Sequence, residues 1–594
     1  MLCYTEKVLR VNLTQKTINI EPLNMELVKM YIGGRGLGTR LLMDEIDLRV
    51  DPLSEGNKLL LISGPLTGTR ISTGTRYMAV TKSPLNNMIA SSNSGGIWGS
   101  MLKYVGYDII IVEGKASSPV YIKIDEGDIT IEDATHLWGK TSEETVEVLK
   151  GEDKNVSVLN ISPAGENLSL MAAIMNDTDR AAGRSGVGAV MGSKNLKAIM
   201  IRTKNRKIPT FDEELFRKTA SDCAKTIKEN GVSGQGLPTY GTAVLVNIIN
   251  SVGSFPTKNW QESEYALAED VSGEKMKETV LVKNSYCHHC TIGCGRVVKM
   301  GEKVVAGPEY ETLWGFSGDA NINDLNAIVE ANFWCNEMGL DTISTASTIA
   351  AAMELYQRGY IKDKDCDGVP LKFGSAKAIV EWTKRIGTGH NELAKLLALG
   401  SYRLCEHYGV PEFSMSAKKL EIPAYDARGI QGIGLNYATS NRGGCHVRGY
   451  TIAAEVLGSV DRTTTEGKAE LVKVFQDLTA VIDSLGLCLF TSFALGAAEY
   501  AALYSAATGN QVDANEIMLM GERIYNIERS FNQKAGMKSE DDDLPKRILK
   551  DAVKNEASKD MVNQLDVMLP QYYEVRGWVN GFPTAETLKR VGAV

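Results

Sequence analysis

The chain has 594 residues, 43% of them hydrophobic and 23% charged, the balance of a globular protein with room for sizeable cores. Its formal net charge of −8 excludes a predominantly basic, nucleic-acid-binding surface. At about 150 residues per domain, the length predicts three or four domains.

The N-terminal segment MLCYTEKVLRVNL puts Glu6, Lys7 and Arg10 where a signal peptide needs its apolar core. It reads instead as a strand through Val8, Val11 and Leu13. Short β-branched runs follow: KLLLISG, DIIIVEG, PVYIKI, DITIED, SVLNIS and KAIMIRT, punctuated by Gly, Pro, Asn and Asp. After IPTFDEELF the pattern becomes helix-periodic, over Phe211–Asn230, Asp324–Met338, Thr342–Arg358 and Glu466–Leu485. A turn-rich seam lies near Tyr408–Ser416. The expected class is α+β: a β-rich N-terminal domain (1–208), then two mainly helical domains (209–411 and 412–594). The longest apolar stretch, Leu485–Ala498, is broken by Thr491 and Ser492 and is too short to span a bilayer. With no export or membrane signal, the cytoplasm is the expected location.

Ten cysteines are too sparse for a disulfide scaffold and are expected as free thiols or ligands. Three cluster as Cys287-His-His-Cys290-Thr-Ile-Gly-Cys294, a C-x2-C-x3-C spacing with Gly293 and Gly295 for tight turns. Three thiolates so spaced can wrap one face of a metal centre. Both zinc, with His288 or His289 added, and an iron–sulfur cluster suit the spacing. A cluster needs a fourth thiolate from elsewhere, and Cys488 in the apolar run DSLGLCLF is a candidate.

Three segments join glycine to arginine or small polar residues: Gly33–Arg40, Ser91–Gly99 and Arg180–Lys194. None is a dinucleotide-binding fingerprint or a P-loop. Tight turns are one reading, favoured for Gly33–Arg40 alone. Close approach of backbone N–H groups and Arg forks to a phosphorylated cofactor is the other, with carbonyls free to hold Mg2+.

The string Asn176–Lys197, NDTDRAAGRSGVGAVMGSKNLK, resembles the tungsten-dependent aldehyde:ferredoxin oxidoreductase family. So do Gly64–Thr69, Asn93–Gly96, Pro163–Leu168, Gly307–Thr312 and Arg442–His446, in order along the chain. The resemblance implies two N-terminal sheets forming a base for a bis-pterin cofactor whose dithiolene sulfurs hold tungsten, or molybdenum in its place. It implies one [4Fe–4S] cluster on Cys287, Cys290, Cys294 and Cys488. Arg76, Asn93, Gly95, Arg180, Ala181, Gly183, Arg184, Arg442 and Arg448 match the pterin-phosphate environment. The carbonyls of Asn93 and Ala181 match donors to a Mg2+ between the phosphates. Two D-x-x-G-L-(C/D) motifs grip the pterins. One is Asp483-Ser-Leu-Gly-Leu487-Cys488; the other, Asn336-Glu-Met-Gly-Leu340-Asp341, has Asn in place of Asp and so accepts without charge assistance.

An E-x-x-H segment that binds iron at a dimer interface in some members is Glu330-Ala-Asn-Phe333 here, and the place of a further His is Val380. The expectation is an oligomer without that interface iron. Glu311 and His446 match the family's active-site carboxylate and histidine. Aldehyde oxidation adds an oxygen and removes two electrons, so Glu311 is expected as proton acceptor and His446 as carbonyl partner or relay. Electrons would leave for ferredoxin, or for a small iron–sulfur or flavin subunit, since this chain carries no flavin or nicotinamide fingerprint. The reaction could also run backwards, reducing acids. The alternatives are the tungsten subunit of a dearomatising acyl-CoA reductase and a structural electron-transfer subunit. Glu311 and His446 favour the aldehyde reading, and the phosphate arginines disfavour the last.

Overall fold

The computed structural model describes residues 1–593; Val594, the last residue of the expected C-terminal segment, lies outside the described residues. Two six-stranded sheets form the N-terminal region. The first comprises β1 (Lys7–Asn12), β2 (Thr17–Pro22), β3 (Leu59–Ser63), β4 (Tyr77–Lys82), β5 (Ile89–Ser94) and β6 (Ile109–Glu113), in the order β2-β1-β6-β3-β4-β5. The second comprises β7 (Val120–Asp125), β8 (Asp128–Asp133), β9 (Val156–Asn160), β10 (Ile174–Asn176), β11 (Arg180–Ala182) and β12 (Leu196–Arg202), in the order β11-β10-β9-β12-β7-β8. Among the described residues, only β1–β6 and β7–β12 pair in parallel.

The run KLLLISG is continuously apolar because its strand is buried on both faces. Leu59 and Leu61 enter the core between the sheets, with Leu9, Ile110, Ile122 and Ile199. Leu60 and Ile62 point the other way, into a core with Leu485, Ile524 and Phe531 of the C-terminal helices. The period of two therefore assigns alternate residues to different cores.

All seven β-branched runs form strands, and the four helical segments appear as Glu213–Glu229, Leu325–Met338, Thr342–Gln357 and Lys468–Leu485. The tight-turn reading of Gly33–Arg40 is corrected: this segment opens the helix Gly34–Glu45. Its glycines serve close packing. A Cβ at Gly34 would lie 2.3 Å from the Asp483 carbonyl oxygen, and one at Gly38 2.8 Å from Val80. The other two glycine-rich segments are strand-to-helix turns, leading from β5 to the helix Trp98–Tyr104 and from β11 to the helix Val187–Ser193.

Two arrangements position the site. β5 and β11 are the terminal strands of their sheets, and they meet where Arg184 N donates to Ser92 Oγ at 3.2 Å. Edge strands keep backbone groups that no sheet partner takes. A three-stranded sheet, β13 (Leu281–Ser285), β14 (Gly295–Met300) and β15 (Lys303–Ala306), carries the cysteine loop between its first two strands.

Candidate active site

The two glycine–leucine motifs are helix C-caps. Gly339 and Gly486 adopt the left-handed conformation (φ +68° and +84°) just past Leu325–Met338 and Lys468–Leu485. The following leucine N–H closes back on the last turn, Leu340 on the Cys335 carbonyl (2.8 Å) and Leu487 on the Ile482 carbonyl (3.2 Å). Glycine is needed there because a Cβ penalises this conformation, and the leucine packs against the helix end. Each motif thus fixes its first residue, Asn336 or Asp483, on the final turn and swings its last, Asp341 or Cys488, back beside it. Asp341 then caps the next helix, accepting from Ile343 N at 3.1 Å.

Cys287, Cys290, Cys294 and Cys488 line one small cavity with Thr73, Thr75, Arg76, Ile292 and Phe490. Gly95 permits the approach: a Cβ on it would lie 2.7 Å from Cys287 Sγ. Burial raises the Cys290 thiol and raises that of Cys294 well above its usual value, so metal loading must displace protons. Among the described residues no three His, Cys, Asp or Glu side chains converge as a single ion requires.

A cleft of about 300 Å³ adjoins this cavity and shares Arg76, Cys294 and Phe490 with it. Of the residues expected around the pterins, Arg76, Gly95, Arg180, Ala181, Gly183, Asn336, Leu340 and Asp341 line the cleft. Asn93, Arg184, Arg442, Arg448, Asp483 and Leu487 are not among the residues lining it. Leu487 is fully buried, and most of the others form one hydrogen-bonded network.

Arg76 donates to Cys488 Sγ (3.0 Å) and to Asn93 Oδ1 (3.0 Å). Asn93 Nδ2 donates in turn to Asp483 Oδ1 (3.1 Å), whose other oxygen takes Arg448 (2.5 Å) and Arg35 (3.4 Å). Arg35 is held by Glu528. Arg184 pairs with Asp341 (3.0 Å) and donates to the carbonyls of Gly444 and Glu421, both at 2.7 Å. Arg442 donates to the Ser91 carbonyl (3.1 Å) and to Cys445 Sγ (3.0 Å).

Glu311 stands in the first turn of the helix Tyr310–Phe316. One carboxylate oxygen accepts from Ala424 N at 2.9 Å; the other lies 3.5 Å from His446 Nε2 and lacks a hydrogen-bond partner, as does His446 Nδ1. Burial pushes the Glu311 carboxyl up to about 8. Burial, then Arg184 and Arg442, brings His446 well below its usual value. Near neutral pH the pair therefore holds one proton, on the carboxyl. Aromatic rings enclose it: Tyr425 and Tyr450 lie 5.7 and 5.9 Å from the imidazole, with their hydroxyls 3.0 Å apart.

At the segment matched to an interface iron site, Glu330 pairs with Lys384 (3.6 Å). Phe333 carries Lys303 over its ring at 5.4 Å, and Val380 is buried. Sequence reasoning missed Arg35, Arg296 and Phe490. The first two lie beside glycines already singled out, which was the available signal; Phe490 had none beyond its place two residues after Cys488.

The donor set suits a phosphate-bearing group and a cluster. Arg76 Nε and Arg442 Nε are buried without partners, Gly183 faces open space, and Arg180 is tied only at 3.7 and 3.9 Å to Glu309 and Asp179. Although burial alone would raise it, Arg442, Arg448 and Arg184 bring the Cys445 thiol below its usual value, a sign of positive potential among the three guanidiniums.

Residues 8–203 match the family model for the aldehyde ferredoxin oxidoreductase N-terminal domain, and residues 218–592 match that for domains 2 and 3. The chain is 48% identical to the tungsten-containing aldehyde ferredoxin oxidoreductase of Pyrococcus furiosus, over 98% of each protein. It is also 48% identical to the protein of that description from Thermococcus kodakarensis, over 96% of this chain and 95% of that one. A WOR-like subunit of an aliphatic sulfonate oxidoreductase from Pyrococcus furiosus is 30% identical over 100% of this chain and 97% of its own. Among solved structures, the active-site complex BamBC of benzoyl coenzyme A reductase superposes with a TM-score of 0.86 at 24% identity, covering 100% of this chain and 97% of that one, a likeness of fold.

Proposed function

From the premise that the chain belongs to the aldehyde ferredoxin oxidoreductase family, we propose that it oxidises aldehydes to carboxylic acids at a tungsten–pterin centre. The balance is RCHO + H2O → RCOOH + 2H+ + 2e−, with electrons leaving singly through a [4Fe–4S] cluster. The observation that carries this reading is the shared wall between the four-cysteine cavity and the arginine-lined cleft, with Arg76 donating to both Cys488 and Asn93, and Asn93 in turn to Asp483.

When bound, the tungsten–pterin centre supplies two-electron redox chemistry and oxygen transfer. The residues of this chain bind, orient and move protons. Cys287, Cys290, Cys294 and Cys488 hold the cluster. Arg180, with Arg76 and the backbone at Gly183, takes phosphate. The edge-strand carbonyls of Asn93 and Ala181 would serve as hard oxygen donors to a Mg2+ accompanying the phosphates. Asp483 and Asn336 orient the pterin rings from the ends of their helices.

Glu311, in its deprotonated form, accepts the proton of the attacking water through the oxygen that the chain leaves unpartnered. Neutral His446 donates to the carbonyl oxygen and returns the proton towards Glu311. Burial of the pair excludes bulk water. The Tyr425–Tyr450 wall gives the substrate an aromatic surface.

Metal analysis of anaerobically purified protein, together with viologen reduction over an aldehyde panel, tests the proposal. About four iron atoms and one tungsten per chain, with aldehyde-dependent reduction, are expected. Zinc in place of iron, or tungsten-loaded protein inert to every aldehyde, would overturn it.

A further inference from the structure

The cysteine loop reaches the surface through residues between and beside its ligands. Cys294 faces the cleft, whereas Tyr286, His289 and Thr291 are exposed, Tyr286 at 57%. Tyr286 lies flat across the loop: a Cβ on Gly293 would sit 2.3 Å from its ring. The loop is pinned beside the turn that carries Arg70, through Ser72 Oγ and Thr291 Oγ1 (2.6 Å) and Thr291 N to Ser72 Oγ (3.2 Å). On its other flank, His288 meets the Tyr104 hydroxyl at 3.2 Å, and Arg206 lies over the Tyr104 ring at 5.7 Å.

A guanidinium thus flanks each side of the loop, exposed Arg70 two residues before Ser72 and Arg206 over the ring that His288 meets. Lys204 and Lys207 extend the exposed basic run beside Arg206. Glu126, which contacts the same segment, is held by the Thr203 hydroxyl and Lys204 N. On a chain of net charge −8, this is a local positive rim around exposed aromatic and imidazole rings. The arrangement combines a flat contact centre with charges that steer an anionic partner.

We propose that the surface formed by Tyr286, His289 and Thr291, flanked by Arg70 and Arg206, docks a small acidic one-electron carrier protein of the ferredoxin kind. The proposal rests on the iron–sulfur reading above. Each encounter moves one electron from the reduced cluster to the oxidised carrier, and two encounters clear the pair released per aldehyde. The carrier approaches over this loop because its exposed residues alternate with the cluster cysteines themselves.

The test uses the full chain and an acidic ferredoxin, with binding measured by titration at low salt without turnover, and aldehyde-driven viologen reduction measured separately. Arg70→Glu is expected to weaken ferredoxin binding about fivefold and to flatten its salt dependence, as expected for an interfacial rim charge. Arg70→Lys should restore both, and viologen reduction should be unchanged in each variant. Equal affinity of wild type and Arg70→Glu, or tighter binding of the latter, would overturn the docking surface. Loss of viologen reduction in the wild type would instead overturn the proposed function and leave the binding result standing.

Discussion

The protonation of Glu311 sets a pH dependence that distinguishes a base from an acid. Its carboxyl is raised to about 8 by burial, against which the Ala424 N–H pulls only partly. A base with that value is about one-tenth deprotonated at pH 7 and about nine-tenths at pH 9, so kcat/KM should rise about tenfold across the interval, with a midpoint near 8. The assay is anaerobic viologen reduction at subsaturating aldehyde, where kcat/KM reports the free enzyme. Glu311→Gln should abolish the rising limb and lower kcat/KM by about 10²–10⁴-fold, the range for removing a positioned proton acceptor. The sign also extends to folding. The folded chain retains a proton that the unfolded chain releases near the ordinary 4.5, so this group's contribution to stability is lost as pH climbs towards about 8. A profile that falls between pH 7 and 9 would make Glu311 the acid. A Gln variant that keeps the rising limb with full tungsten would refute the assignment.

Three substitutions probe the cofactor residues. Cys488→Ser should lower iron from about four atoms per chain and bleach the cluster absorption, as iron and sulfide analysis will report. Asp483→Asn leaves buried Arg448 short of its charged partner, and should cost about 3 kcal/mol with loss of tungsten; thermal unfolding and metal analysis check both. Gly486→Ala meets two obstacles, a φ of +84° and a Cβ 2.1 Å from Thr67 Oγ1. It should depress tungsten and iron together, because one cap positions both Asp483 and Cys488.

Strands buried on both faces were legible because their runs are continuously apolar, as Leu59–Ile62 show. Strand β5 was not. Its sequence, IASSNS, has little strand propensity, and its pairing with β4 is imposed from outside. Its polar residues serve the site: Ser91 accepts from Arg442 and Arg448, Ser92 from Arg184 N, and Asn93 bridges Arg76 to Asp483. The helix Gly34–Glu45 was hidden for a similar reason. Three glycines lower its propensity, and what they gain, close contact with Asp483, Ile524 and Val80, leaves no local trace. The four cysteines were readable by type and spacing, but the 3.5 Å approach of Glu311 to His446 joins residues that only the tertiary fold brings together.

The arginines divide the labour that composition alone assigned to them jointly. Arg184 and Arg448 are committed to carboxylates, hydroxyls and carbonyls of the chain, so their energetic role is to fix Asp341, Asp483 and the loop at Gly444. Arg180 is loosely tied and faces the cleft. Charges already spent on internal partners cannot also supply full affinity for a phosphate, because desolvation has been offset once. Ligand affinity in the cleft therefore rests on Arg180, on the free Nε of Arg76 and on edge-strand backbone, while the buried Arg184 and Arg448 hold that backbone still. The cluster end follows the same logic. Arg76 touches both Cys488 and Asn93, so a shift of either cofactor's residues moves the other's through a single guanidinium.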